Sequence, residues 1–509
     1  MLSALSNVKS LQTETILSVW LILPAIAIFY YWKWSRSRTV RLLNAIPGPK
    51  ALPVLGNLLD LNVYNEDFYK DMGIDWVKMY GPIYRIWLGP RPIVILASAE
   101  LVQKLLSSSK YCTQSSDYSH LSSWLGNSMF MTTGTHWKNR RRIVRPGFHT
   151  QNFDSFIDIF NEKSSMCAEE FERIVEAKPD TAIDVTHLMT KCALNIICET
   201  AMGQTKQETE KEVYLNNMER FCQIFTERVH RPWLSNDWIY KMSSLRRECD
   251  RCVNALHAFT NKVARDRREM LERCTNNYSD HFPNSVIEDE KPHLTSRFAI
   301  VDRLIEASSR QMKGYDTTSV AMAWFLYLIA KHPENQQLIV DELDSVFSGN
   351  RERPCTIQDV PELKYMECCI KETLRLYPSV PSLMRKLIQD VELDGYTIPA
   401  GVTIIPIFYA IHHNPCIYPD PEAFKPERFF PENSNGRHPF AFIPFSAGPR
   451  NCLGQKYAMM ELKVVFANLL RRVQFSVSDP AMSDAAEIGM TLKPKYGVRL
   501  IVSKRLNKV

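Results

Sequence analysis

The chain has 509 residues, 45% of them hydrophobic and 23% charged, which excludes disordered, collagen-like and low-complexity classes for its bulk. Its 62 Lys and Arg against 56 Asp and Glu give a net charge of +6, enough for an acidic partner or a membrane surface and too little to argue for nucleic acid. Thirteen cysteines are too sparse for a disulfide scaffold, and an odd count leaves at least one unpaired. At roughly 150 residues per domain, the length alone points to about three domains.

Thr15 to Trp32 reads TILSVWLILPAIAIFYYW, 18 residues without a charge. That is just long enough to span a bilayer as a helix. Trp20, Tyr30, Tyr31 and Trp32 sit where interfacial aromatics belong, and Pro24 is tolerated in a membrane helix. Lys33, Arg36, Arg38 and Arg41 follow at once, so the positive-inside rule puts the remainder of the chain in the cytosol. A cleaved signal peptide is disfavoured, because the charges follow the apolar run and no small-x-small site appears. Residues 1–33 are therefore expected to be a membrane anchor and 34–57 a basic stop with a proline-rich hinge. Pro47, Gly48, Pro49 and Pro53 stiffen that hinge.

Residues 58–509 read as one large domain without an internal repeat. Helical periodicity dominates from about 100 to 380, and short strand-like runs lie at 83–97 and 391–407 with Gly and Pro turns. The expected fold is mostly α with small β-sheets. Residues 275–296 are polar and contain proline, so they read as a surface loop. The sequon Asn277-Tyr278-Ser279 within it is unused if the domain is cytosolic.

Near the carboxyl end stands Phe445-Ser446-Ala447-Gly448-Pro449-Arg450-Asn451-Cys452-Leu453-Gly454, followed by a helical run from Gln455 to Leu470. Glycines allow close backbone approach to a flat cofactor. A cysteine just before a helix amino terminus is favoured as thiolate, and amide N–H groups there can tune the sulfur. An arginine fork such as Arg450 suits a carboxylate. Upstream, Glu372 and Arg375 stand at i and i+3 on one helix and can pair. Trp137-Lys138-Asn139-Arg140-Arg141, Arg385, Pro426-Glu427-Arg428-Phe429 and Gly314-Tyr315-Asp316-Thr317-Thr318 complete the set.

The spacing Phe445-x-x-Gly448-x-Arg450-x-Cys452-x-Gly454 resembles the haem-binding loop of cytochrome P450 enzymes. The resemblance covers residues 46 to 502. It implies the cytochrome P450 fold, haem b (iron protoporphyrin IX) as cofactor and Cys452 as the thiolate ligand of its iron. It also implies a structural network of Glu372, Arg375 and Arg428, and haem propionates held by Trp137, Arg141 and Arg385. Gly314 leaves room for dioxygen, and Asp316 with Thr317 forms the acid–alcohol pair that delivers protons. Trp124-Leu125-Gly126, the run His136 to His149 and FSAGPRNCLGQKYAM are similar to the microsomal family 4 group, which includes fatty-acid hydroxylases and many insect enzymes.

The expected function is haem-thiolate monooxygenation of a lipophilic substrate on the cytosolic face of the endoplasmic reticulum membrane. Electrons come from NADPH-cytochrome P450 reductase, with cytochrome b5 as a further partner, since the chain carries no dinucleotide fingerprint. Lys138, Arg140, Arg142, Lys456 and Lys463 are expected to form a basic docking face on the thiolate side. The sequence departs from the group at Lys313, where a Glu is usual. On the order of twenty residues, about five helical turns, are missing between Phe298–Ser308 and Gly314. An alternative is therefore a haem-binding member with impaired turnover. A haem-thiolate isomerase is a third reading, disfavoured because Asp316 and Thr317 are kept. Cys249 with Cys252, Cys368 with Cys369, His412 with His413, and Met459 with Met460 read as helix core rather than metal sites.

Overall fold

In the computed structural model the described residues are 28–61, 67–108, 111, 113–149, 153–202, 208–281, 314–479, 484–487 and 489–505. Most of the expected membrane span lies outside them. Its described remainder is a helix over 28–35, and among the described residues no helix is long and apolar enough to cross a membrane. The described residues therefore do not support the expected N-terminal transmembrane helix, whose residues 15–27 lie outside them.

Helix α1 (Arg38–Asn44) opens with Ser37, whose hydroxyl accepts from Val40 N. Arg38 pairs with Asp390 at 2.7 Å and ties it to the body. The proline-rich stretch is likewise welded on. Leu52 and Gly56 exchange two backbone hydrogen bonds of 2.8 Å, and Trp87 N donates to Asn57 Oδ1. Gly56 has φ +64, and a Cβ there would lie 2.2 Å from Trp87 O, so only glycine fits.

The strand-like runs form as read. β1 (Ile83–Leu88) and β2 (Arg91–Leu96) make an antiparallel pair with Ile86 opposite Ile93. β3 is Ala182–Asp184, β4 Arg385–Lys386, β5 Val391–Leu393, β6 Tyr396–Ile398 and β7 Thr403–Pro406. β8 is Val473–Val477, β9 Ala486–Glu487, β10 Lys493–Pro494 and β11 Arg499–Lys504. The largest sheet has the order β1-β2-β7-β4, with β2 and β7 parallel. A second has the order β3-β11-β8, and β5–β6 and β9–β10 are two-stranded.

The remaining longer helices are α2 (Ala99–Leu106), α3 (Gly134–Val144), α4 (Phe153–Ala177), α5 (Val185–Met202), α6 (Glu208–His230) and α7 (Ser244–His281). They continue as α8 (Gly314–Lys331), α9 (Pro333–Phe347), α10 (Lys364–Leu376) and α11 (Gln455–Leu470). Helix α8 is buried on every face from Thr318 to Ala330, as an apolar helix without a polar stripe must be. It packs with α4, α5 and α11 in the main core. There Phe325 and Phe466 stack at 3.8 Å, and Trp324 stacks on Tyr377 at 3.8 Å and 5°.

Residues 275–281, read as loop, continue helix α7 instead. Thr, Asn and Ser each weaken a helix by only tenths of a kcal/mol, and the first proline comes at Pro283. Lys313 and the stretch 298–313, where the missing turns were placed, lie outside the described residues.

Candidate active site

The loop before α11 folds back on itself. Cys452 N donates to Phe445 O at 2.9 Å, and Asn451 N to Gly448 O at 3.1 Å. This turns the Cys452 thiol into a cavity of about 410 Å³. Burial pushes that thiol up from its ordinary pKa, while the Gly454 N–H and the charge of Arg141 pull it back. Gly454 also lines the cavity. Gly448, expected beside the cofactor, does not. Its φ is +73, and a Cβ there would stand 1.9 Å from Leu106 O at the end of α2, so it serves a backbone crossing. Ser446 adopts φ +58 on the cavity wall, and among the described residues its buried hydroxyl has no partner.

Trp137, Arg141, Arg385, Phe445 and Arg450 all reach this cavity. Trp137 is buried on α3, with the Arg450 guanidinium 4.6 Å and that of Arg141 5.8 Å from its ring centre. Arg141 forks onto Asn451, with Nη1 donating to its carbonyl at 2.9 Å and Nη2 to its Oδ1 at 2.6 Å. Arg450 donates to Thr132 O. Arg385 donates to Gln114 Oε1 at 2.6 Å, and Gln114 Nε2 donates to Phe130 O. Three guanidinium groups therefore line one largely apolar chamber.

The opening turn of α8 supplies another wall through Gly314, Tyr315, Thr317 and Thr318. A Cβ at Gly314 would meet nothing within 4 Å among the described residues. Thr317 Oγ1 donates to Gly314 O at 3.0 Å, the back-bond open to any helical threonine. Asp316, expected to share the cavity with Thr317, is turned off it. Its carboxylate is buried and meets Lys493 Nζ at 2.8 Å and Thr491 Oγ1 at 2.9 Å. Thr317 and Thr318 line the chamber while Asp316, on the same turn, is drawn the other way by Lys493 and Thr491.

Behind the ligand loop, Glu372 and Arg375 are fully buried on α10 and share two bonds of 2.8 Å. Arg375 also donates to His412 O and Ala423 O, Lys425 N donates to Glu372 Oε1, and Arg428 stands 3.3 Å from the same oxygen. Such a buried pair is tolerable only because nearly every lone pair and proton is matched.

Cys249, Cys252, Cys368 and Cys369 are buried on helices, and Met460 is core. His412 and His413 are buried too, His412 accepting from Ile443 N and His413 lying against Tyr409. Lys138, Arg140, Arg142 and Lys456 are exposed, but Lys463 is not. It is buried on α11 against Glu367 and Val360 O, because α11 is enclosed on all sides from Met460 onward, and it leaves the expected docking face. The sequence reading missed Gln114, Asn451, Thr491 and Lys493, which orient the polar groups, and Glu461. Burial holds the Glu461 carboxyl well above the usual range on the cavity wall. A loop glutamine or a strand lysine carries no local pattern that marks it.

The chamber fits a flat metallated dianion. One sulfur opens into it at a helix amino terminus, three cations line it, an orphaned hydroxyl stands on its wall, and its remaining lining is largely apolar. The sequence profile of the family described as Cytochrome P450 matches residues 46–501. Cytochrome P450 4c3 of Drosophila melanogaster is 37% identical over 507 residues, 95% of this chain and 94% of its own length. Cytochrome P450 4V2 of Homo sapiens is 35% identical over 495 residues, covering 94% and 92%. Cytochrome P450 4d2 of Drosophila melanogaster is 33% identical over 508 residues, covering 95% and 98%. The chain belongs to the cytochrome P450 family, resembles its family 4 members, and with that membership come haem b and haem-thiolate monooxygenase chemistry.

Proposed function

We propose that the protein hydroxylates a lipophilic substrate with electrons passed from NADPH by a separate flavoprotein reductase, with cytochrome b5 as a further partner, on the cytosolic face of the endoplasmic reticulum membrane. The carrying observation is that the Cys452 thiol and the Thr317 hydroxyl, from different elements, line one largely apolar chamber. Haem bound there supplies dioxygen activation through its thiolate-ligated iron. Cys452 holds the iron, and Arg141, Arg385 and Arg450 with Trp137 hold the propionates. Leu125, Phe130, Val380, Leu383 and Phe408 exclude water from the substrate. Thr317 Oγ1 passes protons inward, and Asp316 recharges it. Glu372, Arg375 and Arg428 keep α10 and the ligand loop in register.

Electron supply is supported by the exposed cations Lys138, Arg140, Arg142, Arg145 and Lys456, which suit an acidic partner that steers in by charge. Membrane attachment through 1–33 is supported by Ile28, Phe29 and Trp32, which stay exposed at the start of the described chain. Within the proposed division at 34–57 and 58–509, the proline-rich stretch is fixed to the haem domain, since Arg85 N donates to Pro47 O and Trp87 N to Asn57 Oδ1.

Reduction of the purified protein followed by carbon monoxide tests the centre. Wild type is expected to absorb near the thiolate-ligated position and Cys452→Ser to lose that band. An identical spectrum for both removes Cys452 as ligand.

A further inference from the structure

Asp316 poses a problem that the chamber does not solve. If it recharges Thr317, as proposed above, it must itself draw protons from solvent, yet its side chain is only 3% exposed and it does not line the cavity. What it meets is the turn before β10. Lys493 Nζ lies 2.8 Å from Oδ1, and Thr491 Oγ1 donates to Oδ2 at 2.9 Å. Lys493 is about one-third exposed, so one end of this pair touches water.

The turn itself is fixed to the distal helix at further points. Leu492 O accepts from Trp324 Nε1 at 2.8 Å, two turns along α8 from Asp316. Leu492 N donates to Ser379 O at 3.0 Å, and Ser379 Oγ donates to Thr317 O at 2.8 Å. Three successive residues, 491 to 493, thus grip α8 on its cavity-remote side and reach the backbone of Thr317 through Ser379.

We propose that Lys493 and Thr491 are positioning residues for proton delivery. They hold the Asp316 carboxylate off the cavity and in contact with solvent through Lys493, so that the acid is recharged from outside before it serves Thr317. The proposal rests on the role given above to Asp316 and Thr317. Burial disfavours the Lys493 ammonium, but the Asp316 carboxylate outweighs this and raises its affinity for the proton.

The chemistry separates two outcomes. Productive turnover is RH + O₂ + NADPH + H⁺ → ROH + H₂O + NADP⁺. When protons arrive late or at the wrong oxygen, the same electrons leave as peroxide, O₂ + NADPH + H⁺ → H₂O₂ + NADP⁺. An organic hydroperoxide brings oxygen already reduced, RH + R′OOH → ROH + R′OH, and calls less on the delivery path.

The test uses full-length, haem-loaded protein with a reductase and dodecanoic acid as probe lipid, in wild type, Lys493→Met, Lys493→Arg and Thr491→Val. Lys493→Met is expected to lower product per NADPH at least threefold, with a matching rise in peroxide, and to change the solvent deuterium isotope effect. Cumene-hydroperoxide-driven oxidation is expected to stay within twofold of wild type. Lys493→Arg should restore most of the coupling, and Thr491→Val should give a smaller loss. A Lys493→Met enzyme with wild-type coupling and isotope effect overturns the proposal. So does an equal loss in the hydroperoxide reaction, which marks a merely structural pair. A wild type that with the reductase consumes no NADPH, forming neither product nor peroxide, overturns the parent reading instead.

Discussion

Replacing Glu372 by Gln is the most demanding test of the buried network. The carboxylate accepts two bonds of 2.8 Å from Arg375 and one of 3.0 Å from Lys425 N, and faces Arg428 at 3.3 Å. Glutamine keeps the volume but loses the charge and points an NH₂ at one of these donors. Arg375, with no exposed surface, then keeps at most one bond to the glutamine oxygen besides its carbonyl partners His412 O and Ala423 O. Breaking a buried pair in this way costs about 3–5 kcal/mol. At about 1.4 kcal/mol per decade, that is roughly a 150- to 4,000-fold drop in the folded-to-unfolded ratio. With an unfolding entropy of about 2.1 cal/mol/K per residue, a domain of roughly 450 residues loses about 3–5 °C in Tm. Differential scanning calorimetry of haem-loaded protein measures the shift, and the carbon monoxide difference spectrum measures the loaded fraction. A Glu372→Gln protein that melts within about 1 °C of wild type and loads haem fully refutes the reasoning, since the network would then contribute nothing net.

Gly448→Ala forces a left-handed φ on a β-carbon and drives it into Leu106 O. The conformational strain alone is about 1–3 kcal/mol, so Tm and haem occupancy should both fall, whereas an unchanged melt would mean that the ligand loop can shift freely. His413 is held at about 3 by burial first and then by the charge of Arg375, below its unfolded value near 6.5. The unfolded chain therefore takes the proton, and stability is lost as pH falls from about 6.5 towards 3, by up to about 1.4 kcal/mol per pH unit. His412, Tyr409 and Glu422 also face this ring, and the raised carboxyl of Glu461 acts in the opposite sense. His413→Asn removes the one slope, so its Tm deficit should shrink between pH 7.5 and 5, and a constant deficit contradicts the assignment. Reversing the charges of exposed Lys138 and Lys456 should slow stopped-flow reduction by a reductase severalfold at low salt and little at high salt. An equal effect at both salt concentrations would rule out steering.

Some features were legible because their signal is local. Strands β1 and β2 lie where two strand-like runs around a Gly-Pro turn put them, and α11 runs over Gln455–Leu470 as read. Glu372 and Arg375 could be paired from a spacing of three alone. The largest apolar cluster joins α4, α5, α8 and α11, and two smaller ones lie about the β1-β2-β7-β4 sheet, which no local pattern in the sequence announces. The 275–281 stretch was misread because its polar residues weaken a helix only slightly and the proline that counted against it stands beyond, at Pro283.

The sequence by itself picked out the residues proposed for the centre, one cysteine, its arginines and a threonine, through motifs whose spacing is short and fixed. The tertiary structure alone decided their partners. Arg141 finds Asn451 across 310 positions, Arg385 finds Gln114 across 271, and Asp316 finds Thr491 across 175. It also decided that Gly448 yields to a carbonyl of α2, that Lys463 is buried and that Asp316 faces away from the chamber. A short motif is read along the chain. An orientation is set by which distant surface excludes water beside it, and that is fixed only when the helices pack.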